Sequence, residues 1–286
     1  MAPRLVVFDL DGTVLGADNR LSAHTAEVLA RARAAGLTLV AASGRSRWAA
    51  ELVLSRTGAI DYAICSNGAV LYHRPTRTIR RRQEIEPRLL RRVYDDVRRA
   101  VDGMCWAWET ERGVVADRGF RVLGTEAALD ELLASEDLDL PEGDAQPVDE
   151  RLRPFGPTVR ILLANPDLPR DELVNRLDPL VPEVRLSSSS AVFVEVTAPD
   201  VDKAAELRAF CERYGFGREE VVAFGDHHND LAMLQWAGRG IAVRNAHPEV
   251  LAAIDEHTEA TNDQDGVAEV IEKLITNLPP AAGDHR

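Results

Sequence analysis

Five short apolar runs constrain what this chain can fold into: residues 4–8, 37–42, 62–66, 221–225 and 241–243. Each is too short for a buried helix, and turn residues or a helical segment follow it. Residues 22–35 place Ala, Val and Leu at helical spacing, with Ser22 as candidate N-cap and Gly36 as candidate stop. Further helices are predicted over 46–56, 202–215, 229–237, 248–254 and 266–275. Strands that alternate with helices in this rhythm argue for a parallel sheet with crossover helices. The expected fold class is therefore α/β, with a doubly wound parallel-sheet core.

The middle of the chain breaks the rhythm. A charged amphipathic helix over 87–101 precedes two strand-like runs, 105–109 and 113–117. A Pro- and acid-rich stretch, 137–154, reads as a surface connection. Residues 158–164 read as a strand, 170–180 as a helix, and a serine-rich turn leads into another strand near 197. This is an α+β insert. The expected division is a first core segment over 1–84, an inserted domain over 85–189, a second core segment over 190–278 and a disordered tail over 279–286.

Composition excludes several classes. Hydrophobic residues make up 45% and charged residues 28% of 286, ordinary values for a globular chain. Asp plus Glu number 47 against 34 Lys plus Arg, a formal charge of −13. No broad positive field is present to capture nucleic acid, so that partner is not expected. The three cysteines, Cys65, Cys105 and Cys211, form no C-x-x-C pair. They argue against a disulfide scaffold or a thiolate zinc site and for a reducing compartment. Asp9 and Asp11 interrupt the N-terminal stretch before a signal-peptide core forms. No apolar run approaches the roughly 18 residues of a spanning helix, so no membrane partner is expected. The expectation is a cytoplasmic protein; its oligomeric state is left open. Lysine is nearly absent: Lys203 and Lys273 are the only two. An ammonium is a compact point charge and a guanidinium a planar fork, so a retained lysine invites a functional reading.

Four separated elements flank predicted core elements at one end of the sheet, where open parallel sheets bind ligands. Asp9-Leu10-Asp11-Gly12-Thr13 leaves the first strand. Two close carboxylates repel unless a cation or shared proton compensates. Ser43-Gly44-Arg45 closes the second strand, where a hydroxyl and free N–H groups suit an anion. Lys203 begins a helix, where its charge opposes the macrodipole. Gly225-Asp226-His227-His228-Asn229-Asp230 follows the strand at 221–225. Singly, each has an ordinary explanation: an acidic turn, an N-cap, a solvated lysine, an N-cap with first-turn acids.

Together and in this order, they resemble the motifs of the haloacid dehalogenase (HAD) superfamily of aspartate-nucleophile phosphohydrolases. D-x-D-G-T, S-G-R, a lone Lys and G-D-x-x-N-D match its four motifs. Ser66-Asn67-Gly68-Ala69, Asn245-Ala246-His247-Pro248-Glu249 and Asn262-Asp263-Gln264-Asp265-Gly266-Val267-Ala268 resemble the Cof-like subgroup. The resemblance implies a Rossmann-like HAD core with an inserted α/β cap that faces a cleft and selects the leaving group. It implies a Mg²⁺-dependent phosphatase acting on a small phosphorylated metabolite, a sugar phosphate first, through an aspartyl-phosphate. Asp9 is then the nucleophile and Asp11 the acid–base residue, with Lys203 the third catalytic group. Asp9, the Asp11 carbonyl and Asp226 would hold Mg²⁺. Lys203, Ser43 and backbone N–H groups near Leu10 and Gly44 would hold the phosphoryl oxygens, and Asn229 would join them or position Lys203. Thr13 supports the first loop, and Asp230 orients Lys203 or holds water ligands of the metal.

Two positions depart from the pattern. Asp200 stands where the subgroup usually has Gly, and His227 where a small polar residue or Asn is commoner. His227 and His228 beside Asp226 also raise a transition-metal alternative, but an oxygen-only ligand set favours Mg²⁺. Phosphotransfer to another hydroxyl, as in a phosphomutase, and a non-catalytic phosphometabolite sensor stay open. In the insert, Arg80, Arg81, Arg82, Arg118, Arg121, Arg151, Arg153 and Arg160 suit anionic or polyol groups, though most fit a solvated basic surface better. Trp106 and Trp108 share one strand face, read as cap core in preference to a sugar-stacking wall.

Overall fold

The computed structural model describes residues 2–123, 138–139, 146–187 and 192–278. The expected tail, 279–286, lies outside them. The described residues divide into two compact units, one within Met1–Arg80 and Asp202–Arg286, the other within Arg81–Val201.

The first unit is built on a sheet in the order β14-β13-β12-β1-β2-β3-β4-β5. Its centre is β1 (Leu5–Phe8), β2 (Thr38–Ala42), β3 (Tyr62–Cys65), β12 (Val221–Gly225) and β13 (Arg239–Ala242). These strands pair parallel, as expected. β4 (Val70–His73) and β5 (Thr78–Arg82) extend one edge and β14 (Glu256–His257) the other. β4 runs antiparallel to β3, so the sheet is not purely parallel. The tight Ser66–Gly68 turn makes that reversal possible, with Asn67 left-handed at φ 55.

All four residues of β1 are buried. Leu5 and Val7 join Leu207, Phe210, Val221 and Met233 in one apolar cluster. Strand alternation sends Val6 and Phe8, also fully buried, to the opposite face. Both faces are therefore covered, which is the doubly wound arrangement. Helix Ala23–Ala34 starts where expected: the Ser22 hydroxyl accepts from the Thr25 N–H. Its Thr25, Val28, Leu29 and Ala32 form the buried stripe, and it packs on helix Gly266–Thr276. Helix Lys203–Tyr214 is capped by Asp202 and stopped by left-handed Gly215.

Register sets the site. Phe8 pairs with Ala41 of β2 and with Phe224 of β12. The Asp9 N–H then donates to the Phe224 carbonyl at 3.0 Å, and the Ser43 N–H to the Ile64 carbonyl at 2.8 Å. Asp9, Ser43 and Asp226 thus leave neighbouring strands at one carboxyl edge. Strand order runs outward in opposite directions from β1 and β12, the switch point where such sheets bind ligands.

The second unit is a mostly antiparallel sheet ordered β10-β11-β9-β6-β7-β8. β6 (Cys105–Thr110), β7 (Val114–Ala116), β9 (Thr158–Ala164), β10 (Arg185–Ser187) and β11 (Val194–Thr197) carry it. Of the stretch read as a surface connection, β8 (Leu138–Asp139) pairs with β7, and Val148–Leu152 is a helix. β11, which a boundary at 190 assigns to the returning core, pairs with β9 and β10 in this unit. Trp106 and Trp108 are buried, with ring centroids 5.9 Å apart, among Val93, Ile161 and Leu177. They are core of this unit, and the stacking-wall alternative falls. Arg160 is an exception to the solvated surface expected for most of these arginines: it is fully buried and ion-paired with Glu109 at 2.7 Å and Glu195 at 2.5 Å. Arg151 is buried as well. No helix among the described residues is long and apolar enough to cross a membrane.

Candidate active site

Lys203 is the first residue of its helix and is 1% exposed. Burial alone would strip its proton. Its Nζ instead lies 2.7 Å from Asp9 Oδ1 and 2.7 Å from Asp230 Oδ1. Burial pulls its pKa down, but Asp230 and Asp9 outweigh that and raise it, so the ammonium is held charged. The anions that offset its helix-start position are therefore present in the fold.

Asp9 and Asp230 are buried too. The second oxygen of Asp230 accepts from the backbone N–H of Asp226 at 3.1 Å and of His227 at 3.0 Å. That fixes the turn after β12 and aims Asp226 toward the first loop. Thr13 Oγ1 donates to Asp226 Oδ1 at 2.7 Å. Gly12 lies between them at φ +73, and a Cβ there would stand 2.4 Å from Asp226 Oδ2. Only glycine fits, on both conformation and space.

Asp9, Asp226 and Asp230 each bring a carboxylate oxygen within 4.8 Å of the others. Three carboxylates face one ammonium. Burial pushes the Asp9 carboxyl well up against the pull of Lys203, with Asp230, Asp226 and Asp11 adding to the rise. Burial and Asp230 push Asp226 up to about 6, against the Thr13 hydroxyl. The cluster is short of positive charge, and its donors are all hard oxygens. Both properties fit a divalent cation of the Mg²⁺ kind.

Asp11 points elsewhere. Arg45 grips it, with Nη2 at 2.5 Å from Oδ1 and Nε at 2.8 Å from Oδ2. Ser43 is buried, and its Oγ accepts from the Arg45 N–H at 3.1 Å. The N-cap of the next helix, Arg47–Leu54, is Ser46, so capping does not explain Ser43. Gly44 lies between Ser43 and Arg45, and Leu10 is buried under the first loop, its carbonyl accepting from the Val14 and Leu15 N–H groups. Asn229 donates to Asn67 Oδ1 at 2.9 Å. All the expected site residues thus lie in the first unit, at the ends of β1, β2 and β12 and the start of helix Lys203–Tyr214.

A sequence profile of the haloacid dehalogenase-like hydrolases matches residues 6–271. The chain belongs to that family. It is 27% identical to the putative phosphatase YxeH of Bacillus subtilis, over 95% of this chain and 98% of that protein. It is 28% identical to the HMP-PP phosphatase of Cronobacter sakazakii, over 88% of each. The solved HAD subclass IIB sugar phosphatase BT4131 superposes with a TM-score of 0.75 at 22% identity, covering 94% of this chain and 98% of that one. That likeness is one of fold. The two relatives matched by sequence are both named phosphatases.

For this HAD hydrolase, sequence reasoning assigned no role to four residues. Arg45 holds Asp11, and Asn67 receives Asn229. Asn245 donates to the Gly12 carbonyl at 2.7 Å and accepts from the Asn262 N–H at 2.9 Å. Asn262 in turn donates to the Leu15 carbonyl at 2.8 Å. Each lies in a motif that carried the family resemblance, so the signal was present. What the sequence lacked was the partner.

Proposed function

We propose that this HAD hydrolase cleaves the phosphate monoester of a small metabolite, a sugar phosphate first, and that it works in the cytoplasm. The carrying observation is the buried Lys203 ammonium shared at 2.7 Å between Asp9 and Asp230. It leaves one carboxylate oxygen of Asp9 for chemistry and fixes the other. Asp9, Asp226 and the Asp11 carbonyl would hold Mg²⁺, which when bound would neutralise the substrate dianion and orient it.

Asp9 attacks phosphorus. The Asp9 O–P bond forms as the ester P–O bond breaks, and the product is an aspartyl-phosphate. Asp11 gives a proton to the leaving alkoxide and then takes one from the water that attacks phosphorus, which returns Asp9 and releases phosphate. Lys203, Ser43, Asn229 and the N–H groups of Leu10 and Gly44 hold the phosphoryl oxygens as charge builds on them. Thr13 and Asp230 position Asp226 and Lys203. In the free protein Arg45 occupies Asp11; a phosphate dianion competes for that guanidinium and releases the carboxyl for its acid–base step.

The test is phosphate release with Mg²⁺ from a panel of sugar, polyol and nucleotide phosphates. Release from sugar phosphates that disappears in Asp9→Asn supports the reading. No release from any member, or undiminished release in Asp9→Asn, overturns it. Label passed to an added sugar in place of water would assign phosphotransfer instead.

A further inference from the structure

A second group of metal-ligating side chains lies outside the carboxylate cluster. His228 opens the helix His228–Trp236 after β12. His247 and Glu249 follow β13, at the N-cap and second residue of helix Pro248–Ala253. One ligand atom from each of the three lies within 4.8 Å of the others. His228 Nε2 is 2.9 Å from Glu249 Oε2, and the His228 and His247 ring centroids are 4.2 Å apart.

The donor set differs in kind from the first. Two imidazoles and one carboxylate suit Zn²⁺, Co²⁺ or Ni²⁺, whereas Mg²⁺ demands oxygen. Metal–nitrogen bonds of about 2.0–2.1 Å put tetrahedral ligands roughly 3.3 Å from one another. The His228–Glu249 edge already approaches that spacing. The remaining edges close by side-chain rotation: the Glu249 side chain is 74% exposed and free to turn, while His228, 45% exposed, turns beside the His227 ring, whose centroid is 4.9 Å away. Little must be given up. The Glu249 N–H reaches His247 Nδ1 only at 3.3 Å, a long hydrogen bond. The backbones are already tied, because the His247 N–H donates to the Asp226 carbonyl at 2.8 Å.

We propose that His228, His247 and Glu249 form a second cation site, selective for a transition metal of the Zn²⁺ class, with a fourth position left to water. One ion enters, and the His228–Glu249 hydrogen bond gives way to a bond from each side chain to the metal. The ion would bridge the start of the helix after β12, which carries Asp230 and follows Asp226, to the turn after β13. That turn carries Asn245, which holds the Gly12 carbonyl at 2.7 Å. The site is thus a clasp between two loops that shape the carboxylate cluster, made by ligands the phosphatase chemistry does not use.

Co²⁺ is the probe, because its visible absorption reports imidazole ligation. Chelator-stripped protein is titrated in excess Mg²⁺, with bound metal counted by equilibrium dialysis. Asp226→Asn, which disables the carboxylate cluster, is titrated in parallel. One equivalent of Co²⁺ is expected in both proteins. His247→Ala and His228→Asn should each weaken it at least roughly tenfold. Should His247→Ala unfold in a thermal scan, His228→Asn, at an exposed side chain, decides alone. Co²⁺ binding that vanishes with Asp226→Asn, that is unchanged in the histidine variants, or that never occurs would overturn the proposal. Phosphate release is not the readout, so the proposal and the phosphatase reading fail separately.

Discussion

Lys203→Met would leave the buried carboxylates of Asp9 and Asp230 without the ammonium that both contact at 2.7 Å. Removing one partner from a buried ion pair costs about 3–5 kcal/mol. For a unit of this size each kcal/mol lowers Tm by roughly 2–4 °C, so the expected fall is about 6–20 °C. Protonation limits the loss, since burial and the neighbouring carboxylates already push Asp9 up. A carboxyl raised in the fold contributes stability that is complete below its unfolded pKa and is lost as pH rises through the folded one. The Tm deficit should therefore widen as pH rises above the ordinary carboxylate range. Asp230→Asn on the Lys203→Met background removes one orphaned charge and should recover part of the Tm, but no turnover. Lys203→Arg keeps the charge but substitutes a diverging fork for a point donor. It should lose about a hundredfold in rate, the scale of a 1 Å misplacement. Lys273, 62% exposed and 3.4 Å from Glu259, is the internal control, and Lys273→Arg should be silent. Calorimetry and steady-state phosphate release read all five proteins. Parental Tm and rate in Lys203→Met, or turnover restored by the double substitution, would refute the reasoning.

Asp9→Asn should abolish turnover in a folded protein, and Asp11→Asn should slow alkoxide leaving groups more than aryl ones; equal loss for both groups would count against Asp11 as the acid. Asp226 carries the metal prediction: with its carboxyl pushed up to about 6, its contribution to stability is complete below about pH 4 and lost as pH rises through about 6. The effect is on the order of 3 kcal/mol. Mg²⁺ competes with that proton, so the Mg²⁺-induced rise in Tm should be large near pH 8 and small near pH 5, and equal rises would contradict it. Gly12→Ala would drive a methyl to 2.4 Å from Asp226 Oδ2 at a left-handed φ, so the Mg²⁺ concentration for half-maximal activity should rise about tenfold or more, at the scale of a lost supporting contact. An unchanged Mg²⁺ requirement would show that Asp226 does not hold the metal.

What could be read from the sequence divides along physical lines. The β1–β2–β12 framework was legible because each strand is an unbroken apolar run, and only a doubly covered parallel sheet buries such runs on both sides. Asp9, Asp226 and Lys203 stood out because local physics works against them. Carboxylates crowd at strand ends, and a cation starts a helix, so each needs a distant partner to compensate. Residues that are locally indifferent gave no such signal. Arg160 looks like any surface arginine until Glu109 and Glu195, 51 and 35 positions away, meet it inside a sheet. β11 has a pattern that either unit could bury, and only its pairing with β9 assigns it. Arg45, Asn67 and Asn245 act through hydrogen-bond or ion-pair partners set by loop geometry, which residue spacing does not encode. His247 belongs with them. Read along the chain it is one residue of a turn, and it becomes a candidate ligand only where parallel register brings the ends of β12 and β13 together. Unfavourable local chemistry therefore marked the residues proposed for catalysis, whereas of the proposed second cation site the sequence singled out only His228 as a ligand, and three-dimensional proximity supplied His247 and Glu249.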